Sequence, residues 1–403
     1  MKKLKTTVTG IYIRRKLDRE EAAMNAVLPY VLKSGCKKYP TVSEIGKYLQ
    51  SLYGASLSGG VIKNGDNQVI FFDAETISDK YTPENEALSG EMIKLMMSVI
   101  FEPMVSDNAF IEETVEREKK TVINKIKAMI NDKRTYAKNR CIEEMCGDDA
   151  FAISKYGTEE GVNSVTPKTL YEHYKKILTS SRIDIFVCGD ADCERLTEEI
   201  NKYLVGLNFT PYEKIDNTKL KYKDKINKVT DKMDVTQGKL AIGFVTDINA
   251  ADKDYPALVV ANGIYGSGTQ SKLFNNVREK LSLAYYASSS INKYKGIITV
   301  NAGIEFENFQ KAYDESILQL DNLKKGEISE DEFNFTINTI INALDTAYDD
   351  QRYMQLYSLD CLYLGTVPDL EGYKNKIKSV TKEDIVRAAA KIKEDTVYFL
   401  TKK

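Results

Sequence analysis

A stretch near the middle of the chain returns, in the same order, near its end, and this repetition limits the possible folds more than any other feature. Ser164-Val165-Thr166 leads through Lys176-Ile177 to the mostly apolar run Ile183-Asp184-Ile185-Phe186-Val187. Ser379-Val380-Thr381 leads through Lys391-Ile392 to Val397-Tyr398-Phe399-Leu400. The triplet and the Lys-Ile pair recur at a constant offset of 215 residues. Each copy reads as a helix followed by a strand. Thr166 and Thr381 are suited to cap those helices, because a threonine hydroxyl accepts a bond from a free first-turn N–H. Pro167 stands where a missing N–H costs nothing. A unit that ends both halves of a 403-residue chain argues for duplication. It implies two domains of about 200 residues each rather than one core.

The divide falls near residue 210. From Tyr212 to Asp234 the chain is crowded with Lys, Asp, Asn and Glu and poor in apolar residues, which is the composition of a linker. The expected organisation is therefore a first domain over 1–209, a charged linker over 210–236 and a homologous second domain over 237–403. Apolar periodicity predicts strands at 11–13, 68–72, 240–245 and 296–300. It predicts helices over 19–34, 42–53, 86–101, 108–133, 253–265 and 307–324. Strands and helices cluster instead of alternating, which favours the α+β class over a doubly wound sheet.

Several function classes drop out. The formal net charge is -2, which gives no bias toward nucleic acid or an anionic membrane. The basic residues between Lys214 and Lys232 are interleaved with acids and read as a solvated linker. No apolar run approaches the roughly 20 residues that span a bilayer, and Met1 to Thr6 lacks the apolar core of a secretory leader. The expectation is a cytoplasmic protein without a nucleic-acid or membrane partner. Gly263, Gly266 and Gly268 lack the spacing of a phosphate cradle. Two Cys-x4-Cys pairs, Cys141/Cys146 and Cys188/Cys193, have no nearby His and read as buried reduced thiols. The single histidine, His173, lies in a charge-rich helical stretch and reads as a helix-surface residue. Any mechanism that needs two histidines is closed to this chain alone.

The first predicted helix carries Pro29 in its middle, where proline removes a ladder hydrogen bond. Val27, Leu28, Val31 and Leu32 are its core positions and Gly35 its terminator. The run from Asn25 to Gly35 resembles the zinc helix of the pitrilysin/insulinase peptidases, His-x-x-Glu-His followed by Leu and then Gly. Further stretches agree in order: Thr41 to Gly54, Glu116-Arg117-Glu118 to Ile126, Tyr156-Gly157 to Thr166-Pro167, Gly189-Asp190, and Gly266-Ser267-Gly268 to Tyr285. The resemblance spans nearly the whole chain and is to the zinc-less subunits found in some bacteria beside an active homologue. It implies a duplicated metallopeptidase-like fold of two homologous α/β-sandwich domains, each a mostly antiparallel sheet with helices packed on it.

Aligned on Leu28 and Gly35, the signature's first His falls on Ala26, its Glu on Pro29 and its second His on Tyr30. Two His one turn apart clamp zinc while the Glu activates bound water; Ala, Pro and Tyr do neither. The family's third ligand, a Glu seven residues past the Glu of a Glu-Arg-like pair, falls on Lys125 when counted from Glu118. A count one residue shorter falls on Asn124, also no carboxylate. The resemblance thus implies degenerate metal positions at Ala26, Pro29, Tyr30 and Lys125, no cofactor in this chain, and zinc in a partner subunit.

The second half keeps something else. In Val277-Arg278-Glu279-Lys280-Leu281-Ser282-Leu283-Ala284-Tyr285, Arg278 and Tyr285 resemble the family's Arg/Tyr pair, which binds the substrate backbone opposite the zinc. A guanidinium fork and a phenol suit a scissile carbonyl that gains negative charge. By residue type alone, a surface Arg and a sheet-packed Tyr are the plainer reading. The surrounding pattern favours substrate binding. The resemblance then implies a non-catalytic subunit that pairs with a homologous active peptidase on peptide substrates, inactive by itself. The alternative is a non-enzymatic peptide-binding or scaffold homodimer.

Overall fold

The computed structural model of the chain describes residues 4–84, 86–211, 215 and 218–403. The first half lays down β1 (Thr6–Lys16), α1 (Ala22–Lys33), α2 (Val42–Ser51), β2 (Ser56–Asn64), β3 (Asn67–Ile77) and α3 (Leu88–Phe101). A two-residue ribbon, β4 (Val105–Ser106) and β5 (Ala109–Phe110), leads into α4 (Glu112–Asn131) and α5 (Lys133–Cys146). Then come α6 (Glu159–Ser164), α7 (Pro167–Ser180), β6 (Arg182–Cys188) and α8 (Cys193–Leu204). The second half runs β7 (Asn227–Met233), β8 (Gly238–Val245), α9 (Tyr255–Tyr265), a π-helical segment Leu273–Lys280, β9 (Ala284–Asn292) and β10 (Ile297–Ile304). It closes with α10 (Phe309–Lys324), α11 (Glu330–Ala347), α12 (Gln351–Leu364), α13 (Leu370–Lys378), α14 (Lys382–Ala390) and β11 (Lys393–Lys402).

The repeat is two copies of one capped helix and strand. Thr166 Oγ1 accepts from Thr169 N at 3.2 Å and Thr381 Oγ1 from Asp384 N at 3.2 Å. In both, the third helical side chain reaches back to the cap N–H at 3.0 Å. These reciprocal boxes satisfy two free donors each.

Contacts divide the chain into two compact units, and neither is a simple half. One comprises Met1–Lys127, Ile153–Asp216 and Ala347–Asp360; the other comprises Ala128–Ala152, Asn217–Thr346 and Cys361–Lys403. The division into 1–209 and 237–403 is corrected accordingly: each unit takes in a segment from the opposite half of the sequence. The stretch 210–236 is not wholly linker either. Residues 212–214, 216 and 217 lie outside the described residues, but β7 forms within it and pairs in parallel with β11. Half-buried Asn227, Val229, Asp231 and Met233 alternate with exposed Lys228, Thr230 and Lys232. Its charge hid that period-two pattern, and lysines on an outer strand discourage further pairing.

In the first unit the sheet order is β2-β3-β1-β6, antiparallel throughout. Ile11 stands opposite both Phe72 and Ile185. Its core face gathers Ile11, Ile13, Ile70 and Phe72 with Val27, Leu28 and Val31 of α1 and Met92 and Met96 of α3. On α12, Gln351 Nε2 donates to Thr6 O at 2.6 Å and Cys188 O at 2.7 Å, and Gln355 Nε2 to Val8 O at 2.7 Å. Tyr12 Oη donates to Asp73 at 2.9 Å. These contacts account for a β1 that is buried along most of its length.

In the second unit the order is β7-β11-β8-β10-β9, antiparallel except for β7 with β11. Here α5 crosses the sheet, setting Ala137 and Cys141 against Ala241, Tyr398 and Leu400. A Cβ on Gly243 would lie 2.7 Å from Met145 Sδ, so glycine is what lets the helix approach. Both units are mostly antiparallel sheets with helices packed on them, as the α+β reading expects.

Candidate functional site

Helix α1 runs through Pro29, which is buried, as is the fully enclosed Ala26. One turn on, Tyr30 is half-buried on the same side. Lys125 reaches across from α4 and sets Nζ 5.5 Å from the centroid of the Tyr30 ring. The structure therefore brings together the two residues that the sequence resemblance sets at the second-histidine and third-ligand positions. What meets there is a cation and an aromatic face, not two metal donors. Burial, with Tyr156 and Glu118 adding to it, pushes the Tyr30 hydroxyl up to about 12, so it stays protonated. Ala26 and Pro29 have no side-chain donor atom, and an ammonium repels a metal ion. These residues do not fit zinc. Among the described residues no group of three or more His, Cys, Asp or Glu could hold a metal ion.

Lys33, one turn beyond Tyr30, lies with Nζ 5.9 Å from the same ring. Glu118 is close but committed, accepting from Arg117 Nε at 2.8 Å and Ser34 Oγ at 3.1 Å. Sequence reasoning passed over Lys33; its spacing of three from Tyr30 was the available signal.

His173 is not a surface residue, which corrects the sequence expectation. It is 6% exposed, and its Nε2 lies 2.8 Å from Asn25 Oδ1. Asn25 Nδ2 donates to Gln68 Oε1 at 2.8 Å, and Gln68 Nε2 to Ala22 O at 3.0 Å. Burial pulls the imidazole down to about 4, with Glu21 opposing and Arg15 and Lys176 assisting. A charge-rich sequence conceals such a residue because the charges line the other faces of its helix. Of the six cysteines, Cys193 is exposed and Cys188 half-buried, while the other four are buried.

In the second unit, Arg278 stands in the last turn of the segment Leu273–Lys280 and Tyr285 near the start of β9. Between them Ser282 takes a left-handed backbone at φ 48°, a costly conformation for a residue with a Cβ. It turns the chain so that both side chains line one open hollow of about 430 Å³, shared with Glu305. Tyr285 is 62% exposed and donates to Glu305, a bond that raises its hydroxyl pKa. The Arg278 guanidinium stacks on Phe274, 4.7 Å to the ring centroid, and pairs with Glu279 at 3.4 Å. An exposed ion pair of that length holds the arginine weakly, so its donors remain available to a ligand. Glu305 had no sequence signal, because β10 brings it to Tyr285 from 20 residues away.

The profile described as "Peptidase M16 inactive domain" matches residues 164–340. The "probable inactive metalloprotease YmfF" of Bacillus subtilis (strain 168) is 36% identical over 402 residues, covering 99% of this chain and 93% of that protein. The "uncharacterized zinc protease YmxG" of the same strain is 22% identical over 313 residues, 76% of this chain and 75% of its own. Among solved structures, a conserved protein from Enterococcus faecalis V583 aligns at TM-score 0.92 and 28% identity over 100% of this chain and 95% of its own. The peptidase M16 inactive domain from Pseudomonas fluorescens aligns at TM-score 0.80 and 16% identity, over 100% and 94%.

Proposed function

Since the chain belongs to the pitrilysin-like M16 peptidase family and lacks the residues of its zinc site, we propose that it is the substrate-holding subunit of a two-chain zinc peptidase. The partner is a homologous subunit with an intact His-x-x-Glu-His helix, and peptide is the substrate. Within this chain the first unit performs no chemistry. The second contributes Arg278 and Tyr285 to the carbonyl of the bond being cleaved by zinc-activated water in the partner.

One observation carries the reading: the guanidinium, the phenol and Glu305 line a single open hollow instead of being packed away. For the phenol to donate to a peptide carbonyl it must leave Glu305, so Tyr285 is stored in a hydrogen bond until substrate replaces it. That same bond favours the competing reading, a homodimeric peptide-binding scaffold, in which the hydroxyl never needs release.

Reconstitution decides between them. The purified chain should carry no stoichiometric zinc and cleave no peptide; mixed with the zinc-bearing homologue it should be active. Arg278→Ala should then lower kcat on the order of 10²-fold, the usual cost of removing one donor to a developing oxyanion. Assembly by sedimentation should be intact. Unchanged turnover in that variant supports the scaffold, and robust activity of the chain alone defeats both readings.

A further inference from the structure

Where the resemblance sets the family's metal position, the first unit gathers positive charge that outweighs its one nearby carboxylate. Lys33 of α1 and Lys125 of α4 lie 5.9 and 5.5 Å from the centroid of Tyr30. Lys155, between α5 and α6, lies 5.0 Å from the centroid of Tyr156. None of the three makes a side-chain hydrogen bond or ion pair among the described residues, and all are half-buried. Burial lowers the pKa of Lys33 and of Lys155, and the charge of Lys125 lowers both further. Glu118 is the one carboxylate that acts on Lys33, and it is already held by Arg117 and Ser34. Half-buried like charges repel and lose hydration, so a cluster of this kind costs stability unless an anion joins it.

The phenols add donors. Tyr30 stays protonated, and a Cβ on Gly60 of β2 would sit 3.2 Å from its hydroxyl oxygen. On Gly59 it would sit 3.1 Å from Lys33 Cδ. The cluster therefore lies directly against β2, an outer strand of its sheet.

We propose that Lys33, Lys125 and Lys155, with Tyr30, form a binding site for a compact oxyanion in the space the metal has lost. Three ammonium groups supply donors only and the protonated phenol adds one more donor, which suits a carboxylate or a phosphate and disfavours a cation. A peptide carboxylate and a free phosphate share that chemistry. The peptide carboxylate is the occupant consistent with the function proposed above, on which this assignment of the ligand rests. In that arrangement the subunit anchors the charged end of a peptide.

The experiment is calorimetric titration of the full chain with three probes: a peptide with a free C-terminal carboxylate, the same peptide amidated, and inorganic phosphate. The free acid should bind at least tenfold tighter than the amide. Lys125→Glu should abolish that difference, and Lys155→Gln should weaken it severalfold, and neither variant should melt below the wild type. Phosphate should compete with the free acid. If phosphate binds in a Lys125-dependent way and neither peptide binds, the anion site stands and the peptide-holding function falls. If both peptides bind alike, to wild type and to K125E, the anion site falls while the peptide-holding function survives. Absence of any Lys125-dependent binding, of peptide or of phosphate, overturns the proposal.

Discussion

His173 shows how far one buried side chain can set the conditions under which the first unit is stable. Its imidazole, held down to about 4 by burial, is neutral in the folded state at pH values where an unfolded histidine, titrating near 6.5, takes up a proton. Between those two values the unfolded chain binds more protons, so stability falls as the pH drops from about 6.5 toward 4 and levels off below. At about 1.4 kcal/mol per unit of pKa, the loss from this residue is roughly 3 to 4 kcal/mol. His173→Gln should flatten that part of the curve when urea midpoints are compared across the range. A wild-type curve already flat between pH 6.5 and 4 would refute the assignment. The histidine also marks a limit of sequence reading. Its burial depends on Asn25 and Gln68, 148 and 105 residues away along the chain, meeting it in one network. The residue types at Ala26, Pro29, Tyr30 and Lys125, by contrast, are plain from the sequence: alanine and proline side chains carry no donor atom, and a protonated phenol and an ammonium are poor zinc ligands.

At the scale of elements, periodicity captures a face and misses the partner of the opposite face. The helices expected over 19–34, 42–53, 86–101, 253–265 and 307–324 correspond to α1, α2, α3, α9 and α10, since each carries apolar residues at helical spacing. Helix α5 had no such reading: its sequence is dominated by Lys, Arg and Glu, and only Ala137, Cys141, Met145 and Cys146 are buried. That narrow stripe meets β8 where Gly243 removes a side chain. Gly243→Val should therefore cost about 1 to 3 kcal/mol by overpacking against Met145. Adding Met145→Ala should recover part of it in denaturant midpoints; if the double variant is no more stable than Gly243→Val, the close approach does not explain the glycine. The capping boxes were the most readable elements of all, because a cap is local and its partner is three residues away.

For the whole chain, duplication is written in the sequence, but the path by which the halves become units is not. Residues 347–360 complete the first unit although they lie in the second half, and 128–152 complete the second although they lie in the first. Residues 1–209 expressed alone should lack Gln351 and Gln355, leaving carbonyls of β1 and β6 without those donors. Such a fragment should bind a hydrophobic dye and unfold without a cooperative transition, whereas the intact chain unfolds sharply. A fragment with a sharp transition and no dye binding would count against the exchange. By itself, then, the sequence determined the repeat, the α+β class and the loss of the metal ligands, because these rest on residue identity and short-range spacing. Only the tertiary structure decided which helix completes which sheet, that His173 is buried, and that Lys33 and Lys125 meet at the Tyr30 ring. Those outcomes depend on contacts between residues far apart in the chain, which no local pattern records.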